Sequence, residues 1–221
     1  MHSHTSPHRW ALRVAAPMLA AIAGLLTLFM SPAGAHGSVV DPASRSYGCY
    51  ERWGSDHMNP AMEQEDPMCW QAFQANPNTM WNWMSLYRDN LAGKFQQNIP
   101  DGQLCSAGHA QGGLANSLDV PGRWTTTNVG SNFSLRLHDQ ASHGADYFLV
   151  YVTKQGYDPT SQSLKWSDLE QVTKTGRYAP ATDYTFSASA PGRTGHHIVY
   201  TIWQASHLDQ TYFICSDVNF G

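Results

Sequence analysis

From Trp124 to the last residue the chain is written mostly in period two, and that period constrains the fold more than any other feature. Phe133-Ser134-Leu135-Arg136-Leu137 alternates apolar and polar side chains, and Tyr184–Ala188 does the same. Tyr147–Thr153 is a nearly unbroken run of aromatic, aliphatic and β-branched residues, and His197–Trp203 and Tyr212–Phe220 are similar. Alternation puts one face of a strand in a core, while unbroken runs suit strands covered on both faces. Several short strands separated by Gly, Pro and Asn predict an all-β fold, a fibronectin- or immunoglobulin-like β-sandwich. Gly37–Val40 reads as a first strand that brings its end of the chain to one end of the sandwich. Leu164–Lys174 reads as a short helical or irregular connection.

Residues Tyr47 to about Gly122 follow a different rule. They are rich in Gly, Pro, Asn, Met and Trp, and helical spacing surfaces only in Met68–Gln74 and Asn78–Tyr87, with Asn76 or Asn78 as a cap. A stretch this long without regular pattern is either functional or disordered, and its aromatic content predicts order. The fold expected is therefore a sandwich carrying one long irregular, partly helical loop region.

Residues 1–35 read as a secretory signal peptide. Arg9 and Arg13 precede an apolar run from Ala15 to Met30, and Ala33-Gly34-Ala35 is a small-residue cleavage pattern. The apolar run is too short for a membrane anchor, so residues 36–221 are expected to be one secreted, extracellular domain. Removing the signal takes away two arginines and no acid, which makes a formal charge of −4 more negative. An acidic chain without a basic cluster is not expected to bind nucleic acid or a membrane. In that oxidising compartment Cys49, Cys69, Cys105 and Cys215 read as two disulfides with three possible pairings. Cys49–Cys69 with Cys105–Cys215 is favoured, because the first closes a local loop and the second ties a central loop to the final strand. No C-x-x-C spacing points to a zinc-thiolate site.

Cleavage after Ala35 makes His36 the first residue. A free α-amine and an imidazole on one residue can chelate one metal ion, and copper(II) favours such nitrogen donors in square-planar or tetragonal geometry. A second histidine is needed to complete the site, and His57, His109, His138, His143, His196, His197 and His207 are available. Of these, His143 sits in Ala141-Ser142-His143-Gly144-Ala145, where small neighbours leave room for a metal and its exogenous ligands.

Six blocks together resemble a known family. They are His36-Gly-Ser-Val-Val-Asp-Pro-Ala-Ser-Arg45, Asp101-Gly-Gln-Leu-Cys-Ser106, Ala141-Ser-His143, Tyr151-Val-Thr-Lys154, Ile202-Trp203 and Cys215-Ser-Asp-Val-Asn-Phe220. Across the whole of residues 36–221 the chain resembles a bacterial lytic polysaccharide monooxygenase of auxiliary activity family ten, the chitin-binding-protein type. The resemblance implies a copper-dependent oxidoreductase with one copper ion held by the His36 amine, the His36 ring and the His143 ring. It implies O₂ or hydrogen peroxide as co-substrate, an external electron donor, and hydroxylation at C1 and/or C4 of crystalline cellulose and/or chitin. A monomer is expected. Ala141 would crowd one axial side of the copper. The other axial side, commonly Phe in the family, falls on Tyr212 by counting from Trp203 and from Asp217; Phe213 would face the opposite way. Gln71 and Asn82 fall where residues around the ligands are expected, and Tyr50, Trp53 and Trp81 are candidates for sugar contact. The competing readings are a non-catalytic chitin- or cellulose-binding module and a secreted copper carrier.

Overall fold

The two clearly alternating strands and the three long apolar ones fall on different sheets. The structure, a computed structural model, describes His2, residues 36–91 and residues 93–221; apart from His2, the expected signal peptide lies outside the described residues. The smaller sheet has the order β1-β4-β7, made by β1 (Gly37–Asp41), β4 (Asn132–Asp139) and β7 (Asp183–Ser189). The larger has the order β2-β9-β8-β5-β6, made by β2 (Tyr87–Asp89), β5 (Ala145–Thr153), β6 (Leu169–Lys174), β8 (Gly195–Ala205) and β9 (Gln210–Phe220). β3 (Thr127–Val129) joins it parallel to β9. The all-β sandwich expected from the sequence is what forms.

Leu135, Leu137, Phe148, Val150, Phe186, Val199, Trp203, Tyr212 and Ile214 meet between the sheets. A second core lies on the outer face of the larger sheet, where Leu149, Ile198, Tyr200, Ile202, Phe213 and Cys215 pack under the excursion. β8 and β9 are covered on both faces, which is why their sequences run apolar without alternation. The same rule separates Tyr212, in the core between the sheets, from Phe213, in the core under the excursion.

The excursion is ordered. α1 (Arg45–Trp53) starts where the Ser44 hydroxyl accepts the Tyr47 N–H at 3.3 Å. α2 (Met62–Glu65) leads to α3 (Pro67–Ala75), whose N-cap Asp66 accepts the Cys69 N–H and whose first residue is Pro. Both favoured disulfides form: Cys49–Cys69 joins α1 to α3, and Cys105–Cys215 ties the excursion to β9. The described residues from His36 to Gly221 make one compact unit.

Two expectations fail. The helix from Asn78 stops after α4 (Asn78–Trp81), because the Asn82 carbonyl turns to accept the Ser85 N–H and hydroxyl, and the chain continues as β2. Leu164–Lys174 is one 3₁₀ turn, Trp166–Asp168, followed by the edge strand β6. β6 is largely exposed and lacks an apolar run, so only its pairing with β5 reveals it. Neither Asn76 nor Asn78 is the N-cap, which is Pro77 without a side-chain bond; the Asn76 side chain accepts the Asn78 N–H in the turn ahead of it and Asn76 closes α3 as its C-cap.

Candidate metal centre

β1 and β4 bring His36 and His143 to the same end of the sandwich. Gly37 pairs with Asp139 at the end of β4, and the Gln140 N–H donates to the His36 carbonyl at 2.9 Å. His143 lies three residues past Gln140, in the turn that enters β5. Gly37 is needed at this crossing: a Cβ there would lie 2.8 Å from both the His138 carbonyl and the Trp203 ring.

Asp139 organises the turn. Its buried carboxylate accepts the Ala141 N–H at 3.1 Å, the His143 N–H at 2.5 Å and His143 Nδ1 at 2.8 Å. A carboxylate at Nδ1 makes that nitrogen the protonated one and leaves the Nε2 lone pair for a metal. Ser142, at φ +54°, and Gly144, at φ +77°, let the turn fold back so that all three donors reach one side chain. Ala141 is exposed beside them.

Trp203 is the floor of the site. Its indole N–H donates to the Gly144 carbonyl at 3.1 Å, its ring lies 6.3 Å from that of His143, and it stacks on Tyr212 at 4.3 Å. Tyr212 is fully buried, and its hydroxyl is one of the buried groups without a hydrogen-bond partner among the described residues; Gln210 Oε1 is another. Burial raises the Tyr212 phenol well above its ordinary range. The ring of His207, on the surface, lies 4.1 Å from that of His143, and its partial desolvation first, then the nearness of His143, lowers its basicity.

Among the described residues no group of three or more His, Cys, Asp or Glu can hold a metal ion. Were His36 the first residue, its α-amine would add a third nitrogen donor beside the His36 and His143 rings. Two imidazoles and an amine fit copper, which takes nitrogen donors in tetragonal geometry.

The other candidates fall into two groups. The Trp81–Met84 segment meets β1, since the Met84 carbonyl accepts the Gly37 N–H at 3.0 Å; Asn82 lies two residues before that contact, its carbonyl bonded to Ser85. Trp81 (37 % exposed) meets Tyr50 (39 % exposed) edge to face at 6.0 Å, and both line a shallow cavity of about 440 Å³. Trp53 and Gln71 are instead committed to structure. The Trp53 indole donates to Asp66 at 3.0 Å and its ring packs on the core under the excursion. The Gln71 amide donates to the Met68 and Ser117 carbonyls at 3.1 and 3.0 Å, which clips α3 to the turn at 116–119. The neighbouring Leu118 carbonyl binds Arg45, whose partner Asp217 is five residues along β9 from Tyr212, roughly 17 Å. Gln71 therefore bonds beside the Arg45–Asp217 network, and no described contact links it to His36 or His143.

Asp139, Trp203, His207 and Gln210 were not assigned roles from the sequence. Only Asp139 left a signal there, an acid four residues before a histidine in a run of small residues.

A family model described as "Lytic polysaccharide mono-oxygenase, cellulose-degrading" matches residues 36–218. The chain is 34% identical over 205 residues to the chitin-binding protein CbpD of Pseudomonas aeruginosa, covering 89% of this chain and 50% of that one. It thus spans about half the length of that curated relative. Among solved structures, a lytic polysaccharide monooxygenase from Kitasatospora papulosa is 62% identical with a TM-score of 0.83, covering 84% of this chain and 98% of that one. ScLPMO10B in complex with zinc is 64% identical with the same TM-score, covering 84% and 100%. The cellulose-active CelS2 in complex with copper is 28% identical with a TM-score of 0.73, again covering 84% and 100%.

Proposed function

The chain belongs to the lytic polysaccharide monooxygenase family, and from that membership we propose that residues 36–221 are one secreted domain that oxidatively cleaves crystalline cellulose or chitin. The observation that carries the reading is the Asp139–His143 pair at 2.8 Å, set where β1 delivers His36. In this reading the His36 amine, the His36 ring and His143 Nε2 hold one copper ion. Bound copper supplies one-electron redox chemistry toward O₂ or hydrogen peroxide, with electrons from an external donor. The protein's own part is positioning. Asp139 fixes the tautomer and the angle of His143, and second shells of this kind tune metal affinity. Trp203 and Tyr212 exclude water beneath the site, and the exposed Ala141 crowds one axial side of it. Tyr50 and Trp81 offer ring faces to a polymer surface, the usual way to grip the apolar face of a pyranose. The chain acts as a monomer on C1, C4 or both.

The test is copper-loaded protein beginning at His36, incubated with insoluble cellulose or chitin and ascorbate, with products read by mass. Oxidised oligosaccharides that need both reductant and copper are expected. His143→Ala is expected to remove them and to weaken copper binding by more than 100-fold. Polymer binding without products would leave a binding module, and copper binding without polymer binding would leave a carrier.

A further inference from the structure

The outer face of the larger sheet carries a second site that the copper chemistry does not use. Tyr147, Leu149 and Tyr151 point the same way along β5, toward the layer under the excursion. Leu149 is covered, while Tyr147 and Tyr151 are only half-buried. At Tyr151 a cavity of about 320 Å³ opens between the strand, Trp166 and the segment 93–97. Trp166 forms one wall and is fixed on three sides. Its indole donates to the Ile99 carbonyl at 2.7 Å, its backbone N–H donates to Asp101 at 2.9 Å, and its ring meets Tyr200 edge to face at 5.6 Å. Gln96 and Gln97 line the rim and are exposed, as is Lys94. Among the described residues no hydrogen bond engages the Tyr151 hydroxyl or these three side chains.

A rigid aromatic wall with uncommitted amides and a hydroxyl is the chemistry that holds a neutral polyol. The rings take the apolar face of a pyranose, and the amides give and accept at its hydroxyls. No carboxylate lines the cavity, so nothing in it selects a cation. We propose that this cavity is a saccharide-binding subsite, remote from the histidines, for a β-1,4-linked pyranose chain. Tyr151 lies six residues beyond Ala145 in β5, about 20 Å along the strand from the turn that carries His143. Between them, Tyr147 lines a further cavity of about 380 Å³ that His207 also borders. A chain held at Tyr151 can therefore run along β5 toward the metal end, and the cavity anchors the enzyme on its polymer. The proposal rests on the reading of the substrate as a β-1,4 polysaccharide.

The experiment titrates the metal-free protein, isotopically labelled, with cellohexaose and, separately, chitohexaose. Saturable shifts are expected at the amides of Gln96, Gln97 and Tyr151 and at the Trp166 indole, with at least one of the two sugars. Gln96→Ala/Gln97→Ala on the exposed rim, and Tyr151→Phe, are each expected to weaken that binding at least threefold. Both variants are expected to keep the wild-type unfolding temperature, which separates lost binding from lost folding. Shifts confined to the His143, Tyr50 and Trp81 region would overturn the subsite, as would shifts at the cavity that neither variant weakens. Products from the wild-type enzyme would stand in either case, so failure here is distinct from failure of the proposed activity.

Discussion

The two ends of β9 solve the burial of polar groups in opposite ways. At Asp217 nearly every demand is met: Arg45 Nε lies 2.6 Å and Nη2 3.2 Å from its two oxygens, and His196 Nε2 lies 2.7 Å away. The remaining Arg45 nitrogen reaches the Leu118 carbonyl at 2.5 Å, and the guanidinium sits 4.7 Å over Trp124. At the Tyr212 end the Tyr212 hydroxyl and Gln210 Oε1 are buried with no partner among the described residues. An unmet buried polar group costs about 1–3 kcal/mol, which evolution tolerates where a site needs it. The Asp217 network fastens the excursion to the sandwich, although Ser117 Oγ and Asp119 Oδ2 beside it also lack a partner among the described residues; the Tyr212 end carries the histidines, and there it is Asp139 that is fully bonded.

The comparison breaks most sharply at Arg45. Burial alone would raise the Asp217 carboxyl, but the Arg45 charge and the bonds from His196 and Arg45 outweigh it and hold it below the usual carboxylate range. Arg45→Met leaves that charge buried with only His196, and removing one partner of a buried pair costs about 3–5 kcal/mol. Denaturant unfolding of the metal-free protein should show this loss, and a loss under about 1 kcal/mol would mean that the network is ornamental. The matching change at the other end is Asp139→Asn. It keeps the size of the side chain but no longer enforces the His143 tautomer, and copper titration should show roughly 10–100-fold weaker binding. An unchanged affinity would remove Asp139 from the site.

A smaller effect tests whether the Asp217 end is fully settled. Asp119 neighbours Leu118, and burial pushes its carboxyl up to about 6 against the pull of the Ser106 N–H and His109. Its pKa is higher folded than unfolded, so its contribution to stability is present below about pH 4 and is lost as pH rises through about 6. Stability should fall by up to about 3 kcal/mol over that window, and Asp119→Asn should flatten the slope and stabilise the protein at pH 8. A slope that survives the substitution would assign it to another group.

How much of this was legible depends on how local each feature is. Period two in Phe133–Leu137 and the apolar runs of β5, β8 and β9 announce strands because the pattern lies within a few residues. β2, β3 and β6 are short or exposed edge elements whose existence depends on a partner strand distant in sequence, so no local pattern marks them. The residue types of His36 and His143 could be read, since a cleavage pattern and a small-residue turn flag them. The roles of Trp203 and His207 could not, because each depends on a ring meeting His143 across about sixty residues of chain. Gln71 shows the converse: its position in the chain suggests the site, while the two hydrogen bonds of its amide, to the Met68 and Ser117 carbonyls, are set by a partner 46 residues away that no local pattern announces.

Tyr212 gives the finest test of the contrast between the ends. If its buried hydroxyl has no partner in the metal-free protein, removing the oxygen relieves an unmet demand at no cost in packing, because the ring keeps its stack on Trp203 at 4.3 Å. Tyr212→Phe should then raise the stability of the metal-free protein by up to about 1 kcal/mol, read as a rise of a few degrees in its unfolding midpoint. If the hydroxyl is retained for the metal's sake, the gain should shrink once copper is bound, and the electron paramagnetic resonance spectrum of the copper form should change. Equal gains with and without copper, and an unaltered spectrum, would make Tyr212 a core aromatic like Phe213 on the other face. A loss of stability in the metal-free protein would instead mean that the hydroxyl is already satisfied, and the contrast would then rest on Gln210 alone.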